Sequence, residues 1–378
     1  REDARDDRQI AAKILPAQFQ LNHRTSLKSP ISQNDRFMKV PLLDVNAQNL
    51  PLEAELTETF TRILHSGRFI MGPEVTALEE EIAGFVGARH GIGVTSGTDA
   101  ILLALMALEI GPGDEVLCPT YTFFATAGCI SRTGATPVFV DACPVCFNLD
   151  VDDAARKVTD KTRVIIPVHL FGQSAEMDGV MELARKHDLR VIEDGAQAIG
   201  SRYKGRGCGA IGDFGTYSFF PSKNLGGFGD GGMVVCNDDD LAERARVLRS
   251  HGSKPKYFHK LVGGNFRLDP LQAALLRVKL RRYDDYTKAR QGNAEYYTSR
   301  LAELDGVVAA DPAHCCGASE GEQALGEAKL ILPTRCEHNE HIWNQFTLRV
   351  LGNGQRNALK QHLLDREIGC EVYYPLTM

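Results

Sequence analysis

Residues 162–195 read TRVIIPVHLFGQSAEMDGVMELARKHDLRVIEDG. The apolar run TRVIIPVHLFG (162–172) has the length and composition of a buried strand. The spacing over 175–187 predicts an amphipathic helix, and LRVIEDG (189–195) a second strand. Strands separated by helical stretches imply a mostly parallel sheet covered on both faces. The alternation extends outward in both directions. Upstream, LEAELTETFTRIL (52–64) and EVTALEEEIAGFVG (74–87) have helical apolar spacing, and GIGVT (91–95) is a short apolar run. SGTDAILLALMALEI (96–110) opens on a capping serine and continues as a helix. DEVLCP (114–119) and TPVFVD (136–141) read as strands separated by FFATAGCISRTG (123–134). Downstream, GTYSFF (215–220) and GGMVVCND (231–238) complete the set, and a long helical region runs from 268 to about 304. The fold class is therefore α/β, with a mostly parallel central sheet flanked by helices.

After that helical region the periodicity weakens, with a Gly- and Ala-rich stretch at 315–328. A strand (IWNQFTLRV, 342–350), a helix (NALKQHLLD, 357–365) and a strand (CEVYYP, 370–375) follow and read as a smaller C-terminal α/β domain. The expected division is a large domain over 38–290 and a small domain over 291–378. Residues 1–37 are polar, with a charged opening, and read as a disordered extension. A sharper expectation is that Met38 is the native start.

Composition narrows the function. The chain has 378 residues, 43% hydrophobic and 24% charged, enough apolar material for a sizeable core. Net charge is -6, so no basic surplus draws it to nucleic acid or anionic lipid. No run of about 18 apolar residues predicts a membrane span. The charged opening lacks the apolar centre of a secretory signal. Ten cysteines in a chain this long are not a disulfide framework, and they read as reduced thiols of a cytoplasmic protein.

Four features carry chemistry. Ser96-Gly97-Thr98-Asp99 is a turn between strand and helix. Helix N-termini expose unpaired N–H groups and a positive dipole end, so a phosphate can sit there. An ordinary capped helix start has the same pattern. Asp194 ends the strand LRVIED. A carboxylate at the carboxyl end of a buried parallel strand sits where ligands bind in open α/β sheets. It needs a partner there, and a protonated pyridine nitrogen is one; capping the next turn is the alternative. Lys223, in TYSFFPSKNLGGFGDGG (216–232), follows a strand and precedes a glycine-rich run. A lysine that attacks a carbonyl must be neutral, which desolvation favours. Tyr121-Thr122-Phe123-Phe124 offers rings that could stack on a flat cofactor, or simply fill core.

Taken together, SGTDA, CPTYTFFAT, PVHLFGQ, VIEDGAQAIG, SFFPSKNLGGFGDGG and GGNFRLDPLQAALLRVKL resemble the DegT/StrS nucleotide-sugar aminotransferases, in the family's order and over roughly 38–375. The resemblance implies a fold-type I enzyme of pyridoxal 5'-phosphate (PLP), an aspartate-aminotransferase-like fold, and a homodimer with shared active sites. It implies transfer of an amino group, usually from glutamate, to a nucleotide-linked keto sugar in amino-sugar and polysaccharide biosynthesis. The motif spellings favour 3-keto over 4-keto sugars. Lys223 takes the place of the Schiff-base lysine and proton shuttle. Asp194 takes the partner of the pyridine nitrogen, Gln197 the residue beside the phenolic oxygen, and Phe123 the ring-stacking position. Gly97, Thr98 and Ser218 take the phosphate contacts. Asn265 resembles the residue reaching the phosphate from the partner subunit, and Arg267 a contact to an anionic part of the substrate.

Two departures stand out. Gly264 replaces a tyrosine that many relatives have, and the family continues past YYP where this chain ends in YYPLTM. The small domain is therefore expected to be incomplete. Three other readings compete. Gly91, Gly93 and Gly97 give G-x-G-x-x-x-G, a weak dinucleotide signal. Cys143 and Cys146, with His314, Cys315 and Cys316, could supply zinc ligands, but no second spaced pair follows and no metal site is expected. A non-catalytic PLP-binding regulator or scaffold would keep the fold, but such a protein could lose Lys223, which is present here. Relatives that dehydrate sugars replace that lysine. His169 and His259 read as structural.

Overall fold

The computed structural model describes residues 39–316 and 326–378. The expected disordered tail at 1–37 and the proposed start at Met38 lie outside the described residues.

After one short helical turn at Val45–Asn49, the described residues form helices α1 (Glu53–Ser66) and α2 (Pro73–Val86), then β1 (His90–Val94), α3 (Gly97–Ala107) and β2 (Glu115–Pro119). α4 (Ala125–Thr133), β3 (Thr136–Val140), α5 (Val151–Lys157), β4 (Thr162–Ile165), α6 (Met177–His187) and β5 (Arg190–Asp194) continue the alternation. Two short strands follow, β6 (Arg202–Tyr203) and β7 (Arg206–Gly207), then β8 (Phe214–Ser218), β9 (Gly232–Cys236) and α7 (Asp239–Arg249).

Local signals explain the boundaries. α2 starts on Pro73 at its first position and stops at Gly87 in the left-handed region (φ 82). Its Val75, Leu78, Ile82 and Val86 are buried at helical spacing. α6 is capped by Glu176, whose carboxylate accepts from the Gly179 N–H.

Seven strands form one sheet in the order β1-β9-β8-β5-β4-β2-β3. From β8 to β3 every neighbour is parallel, whereas β9 runs antiparallel to both β8 and β1. β1 and β8 consequently point the same way as the parallel strands, and their carboxyl ends share one edge. Each face is covered. α3 packs Ile101, Leu103 and Leu105 against Ile92, Val116 and Ile166 on one side. α2 packs Val75, Leu78 and Ile82 with Tyr217 and Met233 on the other. Each such side chain contributes about 1.5–3 kcal/mol by leaving water.

The helical region expected over 268–304 is two helices, α8 (Pro270–Leu280) and α9 (Tyr283–Leu301), broken at Arg281 and Arg282. Beyond it, β10 (Val307–Ala309), β11 (Leu330–Leu332) and β13 (Arg349–Val350) make a three-stranded sheet, and β12 (Asn339–Glu340) pairs with β6. α10 (Gln355–Leu364) follows as expected.

Two expected strands are not formed. Only Arg349 and Val350 of IWNQFTLRV lie in a strand. The preceding residues satisfy their backbone elsewhere. Ile342 and Gln345 donate to Gly172 and Phe171 carbonyls at 3.0 and 3.3 Å, and Arg290 donates to the Asn344 carbonyl at 3.0 Å. CEVYYP holds no strand either and instead runs over the ring of Tyr121, whose hydroxyl donates to the Tyr373 carbonyl. A further pairing joins distant segments: Val40 bridges Ile368 in parallel, with the Gly369 N–H 2.7 Å from the Val40 carbonyl.

The edge strand β1 is pinned by a buried ion pair. Arg249 and Glu79 pair with side chains 6% and 12% exposed, and both also bind Gly93, Glu79 at its N–H (2.8 Å) and Arg249 at its carbonyl (3.1 Å). Removing one partner strands a buried charge. Glu79→Ala should therefore cost about 3–5 kcal/mol of stability in a denaturant titration. A loss under about 1 kcal/mol would mean that the pair behaves like an exposed one.

Candidate active site

The carboxyl edge of the sheet collects the residues singled out from the sequence. Asp194 ends β5 and is 5% exposed. Its Oδ2 accepts from the Thr126 hydroxyl at 2.9 Å and its Oδ1 from the Ala196 N–H at 3.1 Å. Its backbone is fixed by Pro167 and His169. The preceding Glu193 points the other way, as strand neighbours do. Its carboxylate accepts from His169 Nε2 at 2.8 Å and from the N–H groups of Gly209, Ile211 and Gly212. Burial pushes the Glu193 carboxyl up, yet the His169 bond and the backbone donors outweigh it and hold it below its usual value. His169 Nδ1 accepts from the Ala175 N–H at 3.1 Å, so the ring is a structural strut, as its sequence context suggested.

Lys223 lies in the turn after β8, with its N–H bonded to the Phe220 carbonyl at 2.8 Å. The turn is held on both sides. Asn224 donates to the Ile342 carbonyl at 3.3 Å and accepts from Asn344 at 2.6 Å. Buried Lys279 donates to the Gly226 carbonyl. A Cβ on Gly226 would stand 2.3 Å from the Pro221 carbonyl oxygen, so the loop closes on itself only with glycine there. Burial lowers the Lys223 pKa, and the Asp194 charge partly opposes that. The Asp194 carboxylate thus acts on the charge of the Lys223 amine.

The turn from β1 to α3 forms the other wall. Ser96 caps α3 by accepting from the Asp99 N–H at 3.0 Å. Gly97 lies directly on Ser218, where a Cβ would meet the Ser218 Cβ at 2.7 Å. Beside them an open cleft of about 640 Å³ is lined by Thr95, Thr98, Arg267 and Gln272. The Nε of Arg267 is buried without a partner among the described residues. Asp99, Asp230 and Asp269 line the same cleft, so an anionic ligand there would be met by Arg267 and the helix N-terminus against three acids.

Gln197 is 8% exposed and oriented by the Phe171 N–H, which its Oε1 accepts at 2.7 Å, leaving Nε2 directed to the Tyr374 hydroxyl at 3.5 Å. Phe123 and Asn265 are not drawn into these contacts. Phe123 is 60% exposed, and the Asn265 side chain is exposed and makes no hydrogen bond among the described residues. At Gly264 the ring of Phe266 occupies the space that a side chain would need, 2.4 Å from an added Cβ.

Several contributors escaped the sequence reading. Thr126, in the first turn of α4, was one; its hydroxyl also lies 3.1 Å from that of Thr122, in the turn before the helix. Tyr121 belongs to the aromatic run noted in the sequence, but its partners Phe147, Phe171 and Tyr374 gave no local signal. The thiols also differ from expectation. Cys315 and Cys336 form a disulfide across a Cα–Cα distance of 6.4 Å, so not all cysteines are reduced. Cys143, Cys146, Cys315 and Cys316 converge, whereas His314 turns to Asp311.

The family model described as the DegT/DnrJ/EryC1/StrS aminotransferase family matches residues 51–316. The chain belongs to that family. It is 45% identical over 341 residues to a "Pleiotropic regulatory protein" of Geobacillus stearothermophilus, covering 90% of this chain and 85% of that one. It is 43% identical over 337 residues to the UDP-N-acetyl-3-dehydro-alpha-D-glucosamine 3-aminotransferase of Acidithiobacillus ferrooxidans, covering 89% and 84%. The crystal structure of Streptomyces venezuelae DesV in complex with a ketimine intermediate superposes with a TM-score of 0.81 at 40% identity, covering 90% of this chain and 84% of that one. This aminotransferase is a PLP-dependent enzyme with the fold of its relatives. Its residues fit the group: a desolvated amine, a buried carboxylate, a helix N-terminus against Gly97 and Ser218, and an orphaned guanidinium donor.

Two measurements probe this geometry. In the apoprotein the Lys223 amine should lose its proton below the value of about 10.4 of a free lysine, followed by NMR of labelled lysine. Asp194→Asn, which removes the opposing charge, should lower it further; a midpoint at or above the free value would contradict the desolvation. Gly97→Ala should weaken PLP binding by about tenfold or more if this turn holds the cofactor, since a Cβ must displace Ser218, and unchanged affinity by fluorescence titration would remove the turn from the site.

Proposed function

We propose that the enzyme moves an amino group from glutamate to the keto carbon of a nucleotide-linked sugar, with 3-keto sugars favoured over 4-keto, in amino-sugar and polysaccharide biosynthesis. The observation that carries this reading is the convergence of Lys223 and Asp194 beside the α3 N-terminus. The relative named a 3-aminotransferase, and the fit to DesV, support the choice of substrate class.

PLP, when bound, supplies an electron sink for the carbon that loses a proton. The chain's own groups divide the remaining work. Lys223 binds the cofactor through its amine and then carries the proton at the amino donor's α-carbon, a task that suits an amine whose pKa is lowered by burial. Asp194, set by Thr126 and Ala196, keeps the proton on the pyridine nitrogen. Gln197 offers Nε2 to the phenolic oxygen, its other end being used by Phe171. Gly97 and Thr98, at the head of α3, and Ser218 take the phosphate. Phe123 covers the ring face, and Arg267 meets an anionic part of the substrate.

The assembly is a homodimer in this reading, with the partner's Asn265 reaching the phosphate. Exposed Phe123, Phe124, Tyr257, Phe258 and Val262, the last 92% exposed, support a buried interface near the site. The large domain takes 38–290 and the small domain 291–378, and the enzyme works in the cytoplasm. Among the described residues no helix is long and apolar enough to cross a membrane. A regulatory, non-catalytic role is suggested by the name of the Geobacillus relative. The retained Lys223 favours catalysis instead.

The test is turnover by the chain loaded with PLP. Glutamate followed by a UDP-linked 3-keto sugar should give 2-oxoglutarate and the amino sugar by mass spectrometry, and Lys223→Ala should give neither. Turnover of 4-keto sugars alone would overturn the position preference. Bound PLP without either product would favour the regulatory reading.

A further inference from the structure

Away from the active site, two segments of chain bring four sulfur atoms to one point. Cys143 and Cys146 come from the loop after β3, and Cys315 and Cys316 from the connection between β10 and β11. One ligand atom from each lies within 4.8 Å of all the others. Cys146 Sγ is 3.3 Å from Cys316 Sγ, and Cys315 Sγ is 3.5 Å from Cys316 Sγ. Around a tetrahedral zinc, with bonds of about 2.3 Å, sulfurs stand about 3.8 Å apart. Cys143, Cys146 and Cys315 are buried, at 2%, 4% and 7% exposure, in an apolar shell that includes Val145, Ala310 and Ile331.

The backbone is arranged around sulfur. Cys143 Sγ accepts from the Val145 N–H at 3.5 Å and the Cys316 N–H at 3.2 Å. Donors of that kind orient and stabilise a metal-bound thiolate. The loop is a tight knuckle: the Cys143 N–H meets the Asn148 carbonyl at 2.8 Å, and Ala142 bridges Leu149. Neighbouring side chains in extended chain point apart. Cys316 sits at φ 53, in the left-handed region, and so aims its sulfur to the same side as that of Cys315. Arg349 donates to the Pro144 carbonyl at 2.5 Å, which puts a cation beside the turn. Cys118, Cys129, Cys208 and Cys236 are also buried, but as single thiols in β2, in α4, after β7 and in β9, the usual role of a small apolar residue.

We propose that Cys143, Cys146, Cys315 and Cys316 form a tetrathiolate site for zinc or a similar thiophilic divalent cation, which clips the β10–β11 connection onto the loop after β3. The site is independent of the PLP reading. The Cys315–Cys336 disulfide must open for Cys315 to ligate. A dithiol supplies the two electrons and two protons, ending as its own disulfide and leaving Cys315 and Cys336 as thiols. The cation then replaces the four ligand protons, which pass to water, and the site carries two negative charges that Arg349 partly offsets. Cys146 adjoins Phe147, whose ring packs 5.6 Å from Tyr121 and 5.8 Å from Phe171, so the clip also steadies the aromatic wall.

The test uses the reduced, desalted holoenzyme. Elemental analysis should find about one zinc per chain. Cobalt(II) exchanged into it should give thiolate-to-metal charge-transfer bands and the intense visible absorption of a tetrahedral site. Cys143→Ser and Cys316→Ser should lose the metal and the bands, and Cys236→Ser should keep both. If the variants do not fold, the cobalt spectrum of the wild type decides. Zinc absent from the reduced wild type together with no cobalt thiolate bands, or metal retained in a Cys143→Ser/Cys146→Ser double variant, overturns the proposal.

Discussion

The buried carboxylate of Asp194 is the constraint around which the site is organised. An acid that is 5% exposed needs donors or a cation, because an unpaired charge in that surrounding costs several kcal/mol. Among the described residues, two donors reach it, Thr126 and Ala196. A protonated pyridine nitrogen in the proposed site would meet the rest of the demand. Burial of Lys223 depresses its pKa against the pull of Asp194. The opposition is chemically useful. A free carboxylate would favour a charged lysine, whereas an Asp194 already paired with the ring nitrogen would leave desolvation to dominate and the amine available as a base.

Much of this was legible because it is local. β5 ends at Asp194, the Ser96 cap begins α3, and Lys223 follows β8, so period and punctuation alone put three site elements at strand ends. Topology then did the assembling, since strands that share a direction share an edge. What stayed hidden is long-range. Thr126 reaches Asp194 across 68 positions without a periodic signature. Cys143, Cys146, Cys315 and Cys316 were recognisable as candidate ligands, but with no second spaced pair after Cys143-x-x-Cys146 the sequence could not show that Cys146 reaches Cys316 across 170 positions. The two missing strands failed for a related reason. A stretch such as 342–350 carries strand-forming residues, but the carbonyls of Ile342, Trp343 and Asn344 are claimed by Asn224 and Arg290, and tertiary partners override propensity.

Those same contacts explain how the C-terminal residues bear on chemistry. Asn224, next to Lys223, holds the Ile342 carbonyl and the Asn344 amide, so the lysine turn is tied to the segment leading into β13. Tyr373 and Tyr374 close over Tyr121 and Gln197 from the other side. The last described residue, Met378, places its N–H on the Thr120 carbonyl at 3.0 Å, at the end of β2. Two sides of the site are thus built from residues more than a hundred positions away, and a change of substrate could be met by altering these contacts while the sheet edge stays fixed.

The thiol cluster fits the same logic of distant segments held by few contacts. The short sheet of β10, β11 and β13 buries little apolar surface of its own, with Ile331 and Leu332 its fully buried members. A sheet of that size needs external support to keep its place. The loop after β3 offers it through Cys143 and Cys146, one residue before Phe147 enters the aromatic wall. The Cys315–Cys336 disulfide ties the C-terminal segment only to itself, whereas a cation held by the four thiolates would anchor it to the loop after β3. A cross-link there restrains the wall facing Gln197 without touching the sheet edge that holds Asp194 and Lys223.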